Sequence, residues 1–292
     1  MSLSFSQFAV RCSAQLEEDG RFATARLYRN ALQSFTNFMR RSEVKFTDIN
    51  RKRLAAYERD LRYHNYCPNT ISTYMRMLRA IYNKGVDAGY APFVHRLFHG
   101  VYTGIDISRR RALDVKDLKT LICGKTDKPS LRRTQKIAAS LYSLCGMPFV
   151  DFMNINFSTV KSGVLTYSRH KTGTSISISV MKRTMKMVDD LKLPRSDMRT
   201  AEGYRQYQSR LRHFNSCISR LAASLGITSR VSSYTLRHSW ATAALRNHVP
   251  VELISAALGH RSIRTTQIYL GGFSAAEIGA ANTKICRCIG AV

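Results

Sequence analysis

Between residues 5 and 89 apolar positions return at intervals of three and four, the spacing of helices that bury one face. Leu27, Tyr28, Ala31, Leu32, Phe35, Phe38 and Met39 form such a stripe within 21–40, with Arg26, Arg29, Arg40 and Arg41 around it. A second helix, around Leu54, Tyr57 and Leu61, begins after Asp48-Ile49-Asn50, whose short polar side chains can accept from the first unpaired backbone N–H groups. A third follows Pro68-Asn69-Thr70, carries Ile71, Tyr74, Leu78, Ile81 and Tyr82 on one side, and ends near Gly85 and Gly89. With residues 5–18 these predict a four-helix unit. Thr73, Arg76, Arg79 and Asn83 share a polar flank of the third helix. That flank suits either the solvated face of a plain bundle or a helix lying in a DNA groove.

The helical period is lost from Gly100 to Ser108, and Arg109-Arg110-Arg111 follows. The expected organisation is a helical domain over 1–100, a basic linker over 101–111 and a second domain over 112–292. In that second domain the pattern predicts helices at 114–122, 131–145, 202–224 and 234–247. Between them, Val160 to Val164 reads as a turn, after which the period changes to two. Leu165, Tyr167, Arg169 and Lys171 then fall on one side of an extended segment. Lys171-Thr172-Gly173-Thr174 reads as a hairpin turn, and Ile176, Ile178 and Val180 alternate with serines on the return strand. The fold class is therefore mainly α with one small β-hairpin, Arg169 and Lys171 lying near its tip. Pro250 and Glu252 suit the start of a further helix, which Leu258-Gly259 stops, leaving His260 just beyond.

Charge narrows the partner. The chain has 292 residues and a net charge of +27, from 46 basic against 19 acidic side chains spread along its length. So large an excess repels itself in a compact fold and is best tolerated beside a polyanion. No run of about 18 apolar residues suggests a membrane span, and no signal peptide is apparent at the N-terminus. Nucleic acid is the expected partner and the cytoplasm the expected compartment. Seven isolated cysteines without a CxxC pair read as reduced thiols rather than a metal site.

Arg237, His260 and Tyr269 fit chemistry on a phosphodiester. A guanidinium presents a planar fork to phosphate, an imidazole hydrogen-bonds or moves a proton, and a phenol oxygen can attack phosphorus. Tyrosine attack also needs an acid for the leaving 5′ oxygen, and a lysine crowded by cations can lose its proton there. Neither metal nor cofactor is required by that scheme.

The blocks Leu236-Arg237-His238-Ser239-Trp240-Ala241-Thr242, Leu258-Gly259-His260-Arg261-Ser262 and Thr265-Thr266-Gln267-Ile268-Tyr269 resemble, in order and spacing, the signature of the tyrosine recombinases, or phage-type integrases. The resemblance is nearest to the integrases and invertases common in Bacteroides and relatives. It implies a helical core-binding domain and a catalytic domain closing as a C-shaped clamp on double-stranded DNA. By matching position, Tyr269 is the nucleophile, Arg237 the second catalytic arginine, His260 a support for the transferring phosphate and Lys171 the general acid. The family implies strand exchange through a Holliday junction by a homotetramer on two DNA sites, linked by a terminal helix such as the one from Ala275 to Cys288. A bacterial, nucleoid-associated location and an accessory DNA-bending protein are further expectations.

Two positions depart from the family pattern. Tyr234 stands where the first histidine of HxxR is expected, and its hydroxyl can still meet phosphate. Pro148, in Cys145-Gly146-Met147-Pro148-Phe149-Val150-Asp151, stands where the first catalytic arginine is expected. Arg169 is expected to supply the missing charge, and the alternative is that it contacts backbone phosphates only. Arg109, Arg110 and Arg111 are expected to reach the DNA backbone. His238 reads either as a packing histidine or as a DNA contact. The rival functions are a catalytically silent DNA-binding relative and a type IB topoisomerase.

Overall fold

The computed structural model describes residues 3–106, 112–270 and 275–288, of which 268–270 and 275–277 are described as backbone alone. The chain forms two compact units, Met1–Ser108 with Met198–Tyr204, and Arg109–Asp197 with Arg205–Val292. The triplet Arg109-Arg110-Arg111 lies outside the described residues.

In the first unit, α1 (Phe5–Glu18) opens on a reciprocal cap. The Ser4 hydroxyl accepts from the Gln7 N–H, and the Gln7 side chain accepts from the Ser4 N–H. α2 (Phe22–Met39) ends at Arg40 in the left-handed conformation, φ 51°. α3 (Arg51–Tyr63) is capped by Asn50, whose side chain accepts from the Arg53 N–H at 3.0 Å. α4 (Pro68–Asp87) begins on proline, whose missing N–H has no partner to lose there. Their apolar stripes meet around Phe35, Leu54, Tyr57, Ile71, Met75, Leu78 and Ile81, all fully buried. Each such side chain contributes about 1.5–3 kcal/mol by leaving water. The Tyr57 ring meets Phe35 edge-on at 5.0 Å while its hydroxyl donates to Ser34, so its polar end is satisfied inside the core.

The second unit contains α5 (Val115–Cys123), α6 (Pro129–Ser143), α7 (Phe149–Asn154), β1 (Val164–Ser168), β2 (Ser175–Ser179), α8 (Lys182–Leu191), α9 (Ala201–Ser224) from Arg205 onward, α10 (Ser233–Arg246), α11 (Val251–Leu258), α12 (Ile263–Leu270) and α13 (Ala275–Cys288). The strands pair antiparallel with Leu165 opposite Ile178 and Tyr167 opposite Ile176. Leu165, Ile176 and Ile178 turn into a core shared with Leu121, Leu141, Phe152, Ile218, Leu221 and Leu236. The fold is thus mostly helical with one two-stranded sheet, as the hydrophobic pattern predicts. No described helix is long and apolar enough to cross a membrane.

Three local readings are corrected. α7 and α8 were not anticipated: α7 is only six residues long, too short to show a helical period, and α8 follows directly on an alternating strand. β1 stops at Ser168, so Arg169 and Lys171 do not share one side of a strand. The Gly173 N–H donates to the Arg169 carbonyl at 2.8 Å, and the chain reverses over 170–173. Arg169 is thereby buried and Lys171 exposed. Arg237 lies in the second turn of α10 rather than the first, because the helix begins at Ser233.

Candidate phosphate-binding and catalytic site

α10 is fixed at its start by Ser232 and Thr235, each hydroxyl accepting from the other residue's N–H. The Ser233 N–H donates to Asn215 of α9 at 2.9 Å. Ser239, one turn on, donates to the Thr235 carbonyl and accepts from the Leu113 N–H. These ties set the face that carries Arg237, a guanidinium only 3% exposed. It donates to the Gly146 carbonyl at 3.1 Å and to the Leu258 carbonyl at 2.6 Å, and reaches His260 Nε2 at 3.2 Å. Carbonyls and a neutral imidazole orient the cation. Gly146 permits the approach: its φ is +64°, and a Cβ there would stand 3.0 Å from the Arg237 Cα.

α11 delivers the other half. Its C-terminal carbonyls carry the negative end of the helix dipole, suited to a guanidinium. Gly259 closes the helix in the left-handed region, φ +63°, and the His260 N–H turns back to the Ser255 carbonyl at 3.1 Å. This stop aims His260 at Arg237. The other ring nitrogen, Nδ1, lies 2.9 Å from the hydroxyl of Thr266, a fully buried residue of α12. Burial, and then the charges of Arg237, Arg169, His238 and Lys171, push the His260 pKa down to about 4. The imidazole is therefore neutral at physiological pH.

Arg169 enters the same cluster from the hairpin. It is 8% exposed, donates to the Leu258 carbonyl already held by Arg237, and places Nε 3.1 Å from Asp151 Oδ2. The Nε–H is out of line for a hydrogen bond, so the contact is ionic. Asp151 Oδ1 accepts from the His170 N–H at 2.9 Å. Burial raises the Asp151 carboxyl above its usual range, with the His170 N–H and Arg169 pulling it back in part. Pro148 precedes α7 and contributes no charge, so the guanidinium paired with Asp151 comes from the hairpin.

Arg237, His260 and Arg169 thus come together. Lys171 sits in the exposed turn, close enough to act on His260, and the next residue's carbonyl is held by Arg261. Tyr234 is 44% exposed, with its ring edge-on to His238 at 4.8 Å. Tyr269 belongs to α12, and its side chain lies outside the described residues. Arg76, Arg79 and Asn83 are exposed on α4 of the first unit, whereas the Thr73 hydroxyl donates back to the Asn69 carbonyl at 2.7 Å. Sequence reasoning gave no role to Asp151 or Thr266. The signal for Asp151 was there, a lone carboxylate among Phe149, Val150, Phe152 and Met153 in an acid-poor chain. Thr266 carries no such mark, because its partner is defined only by the turn at Gly259.

Residues 111–273 match the phage integrase family, and residues 4–95 match the phage integrase SAM-like domain. Over 47 residues the chain is 49% identical to the tyrosine recombinase XerD of Lacticaseibacillus casei, a stretch covering only 16% of either protein. The fold resembles that of a lambda integrase tetramer bound to a Holliday junction, with TM-score 0.60 and 15% identity over 85% of this chain and 73% of that one. It also resembles the Tn1549 transposon integrase in complex with a circular intermediate DNA, with TM-score 0.69 and 10% identity over 97% of this chain and 100% of that one.

Proposed function

The chain belongs to the phage integrase family, and from that premise we propose that it is a site-specific DNA recombinase working through a 3′-phosphotyrosyl intermediate. The observation that carries the reading is Arg237, a buried guanidinium oriented by two main-chain carbonyls and a neutral imidazole. Such a fork, held in place, can present its charge to the non-bridging oxygens of a phosphodiester. Tyr269, on the helix that follows His260, forms the new bond to phosphorus. The leaving 5′ oxygen takes its proton from Lys171, whose position in the exposed turn leaves it free to reach a strand. Arg169 adds the second positive charge in place of Pro148, and the Tyr234 hydroxyl meets the phosphate from α10. The bond energy stays in the phosphotyrosyl ester, so rejoining by a 5′ hydroxyl of the partner strand needs no ATP and no metal.

The first unit is the core-binding domain, with Thr73, Arg76 and Arg79 toward DNA and the basic triplet Arg109-Arg110-Arg111 on the backbone phosphates. His238 lies beside Tyr234 at the same surface. The second unit is the catalytic domain. A homotetramer on two synapsed sites, joined through α13, is supported by the exposure of Ile278 and Ile285 on that helix and by the lambda tetramer's likeness in fold. The reading extends to a Bacteroides-type integrase or invertase acting on the bacterial nucleoid, with an accessory DNA-bending protein as a further partner.

The test is a nicked suicide duplex carrying a site selected by binding to the full chain. Wild type is expected to trap a covalent protein–DNA adduct, and Tyr269→Phe to bind without trapping one. Binding without any adduct would favour a silent DNA-binding relative, whereas relaxation of plasmid without sequence preference would favour a type IB topoisomerase.

A further inference from the structure

His260 is held from both sides, and the two partners differ in what they can do. A guanidinium only donates, so the nitrogen 3.2 Å from Arg237, Nε2, must present its lone pair. In a neutral ring the proton then sits on Nδ1, 2.9 Å from the Thr266 hydroxyl. Thr266 is fully buried, so this hydroxyl is an enclosed partner rather than a solvated one. It also belongs to α12, one helical turn before Tyr269.

We propose that Thr266 is a positioning residue for strand transfer: it fixes the plane of His260, and it ties the helix bearing Tyr269 to the Arg237 pocket. Arg237 sets the tautomer, and Thr266, by accepting the Nδ1 proton, holds the ring so that Nε2 steadies the Arg237 fork. Without that acceptor the ring would keep its Nδ1 proton but lose the contact that holds its plane. A ring turned out of that plane would no longer accept squarely from the guanidinium, and Arg237 would lose an orienting contact. The same hydrogen bond fixes the distance between α12 and the end of α11, so a phosphate held by Arg237 meets a nucleophile helix already in register. The positioning role rests on the recombinase reading above, whereas the tautomer is a property of the free protein.

The experiment compares wild type, Thr266→Val and Thr266→Ser, each first shown to be folded by circular dichroism. The full chain is labelled at histidine nitrogens, and the His260 ring is assigned by its loss in His260→Gln. Wild type and Thr266→Ser should show the Nδ1–H tautomer at neutral pH. Thr266→Val should keep that tautomer, shift the Nδ1–H resonance upfield as its hydrogen bond to the Thr266 hydroxyl is lost, and form adduct on the nicked duplex about tenfold to a hundredfold more slowly, with DNA binding unchanged. Thr266→Ser should restore the resonance and most of that rate. An Nε2–H wild type overturns the tautomer assignment. An unmoved Nδ1–H resonance in Thr266→Val, or a moved one with undiminished adduct formation, overturns the positioning role alone. Wild type that forms no adduct overturns the recombinase reading, and that role with it, while the spectra still decide the tautomer.

Discussion

At Gly259 two demands meet. The backbone needs φ +63° to turn His260 toward Arg237, and any Cβ would stand 2.4 Å from Ile176 Cδ1 and 2.9 Å from Arg169 Cγ. The first demand alone costs an alanine about 1 kcal/mol, and overpacking adds about 1–3 kcal/mol. Gly259→Ala should therefore lower the urea unfolding free energy by about 2–4 kcal/mol. A loss below 0.5 kcal/mol, on the order of a neutral surface change, would mean that the hairpin gives way freely. His260 yields a second expectation at this scale. Its pKa falls from 6.5 to about 4 on folding, so between those values the unfolded chain binds the proton and the folded chain does not. Stability contributed by this group is intact above pH 6.5 and declines as the pH drops toward 4. The thermal midpoint of wild type should thus fall more steeply over that window than that of His260→Gln. Parallel pH profiles would show that the ring titrates normally.

Among the elements, the hairpin and α7 depend on each other through Asp151. Removing Arg169 would leave a buried carboxylate with the His170 N–H but without its ion-pair partner, a loss of about 3–5 kcal/mol. Arg169→Ala is expected to lose that stability together with strand cleavage. Arg169→Met with Asp151→Asn should regain much of the stability without the cleavage, separating the structural from the chemical role of the guanidinium. Recovery of both would remove Arg169 from the reaction. The same pair explains where sequence reading stopped. α2, α3 and α4 were legible because long amphipathic periods and Asn50- or Pro68-type starts declare themselves locally. Arg237, His260 and Gly259 were legible as a motif around a helix stop. Arg169 could be named but not oriented, since alternation carried on past Ser168 would point it alongside Lys171. What turns it inward is a contact with Asp151, 18 positions earlier in the chain, and no local pattern encodes that. Thr266 stayed invisible for the same reason, as its role exists only once His260 has been turned back by the glycine.

Across the whole molecule, the charge of +27 sets how the chain would meet DNA under the recombinase reading. Each phosphate neutralised releases counterions, so the logarithm of affinity should fall linearly with the logarithm of salt, by about 0.9 per contact. Arg76→Ala and Arg79→Ala, both on the exposed flank of α4, should each flatten that slope by about one contact and weaken binding to all sequences alike. An unchanged slope with altered sequence preference would instead mean that these arginines read bases. One feature of the pocket behaves unlike its side chains. The carbonyl of Leu258 accepts from both Arg169 and Arg237, and it belongs to the main chain. No substitution at position 258 can remove it. Side chains around the pocket can therefore be exchanged, as proline at 148 and tyrosine at 234 stand in unexpected places here, while the point that gathers the guanidinium groups is passed on by the fold itself.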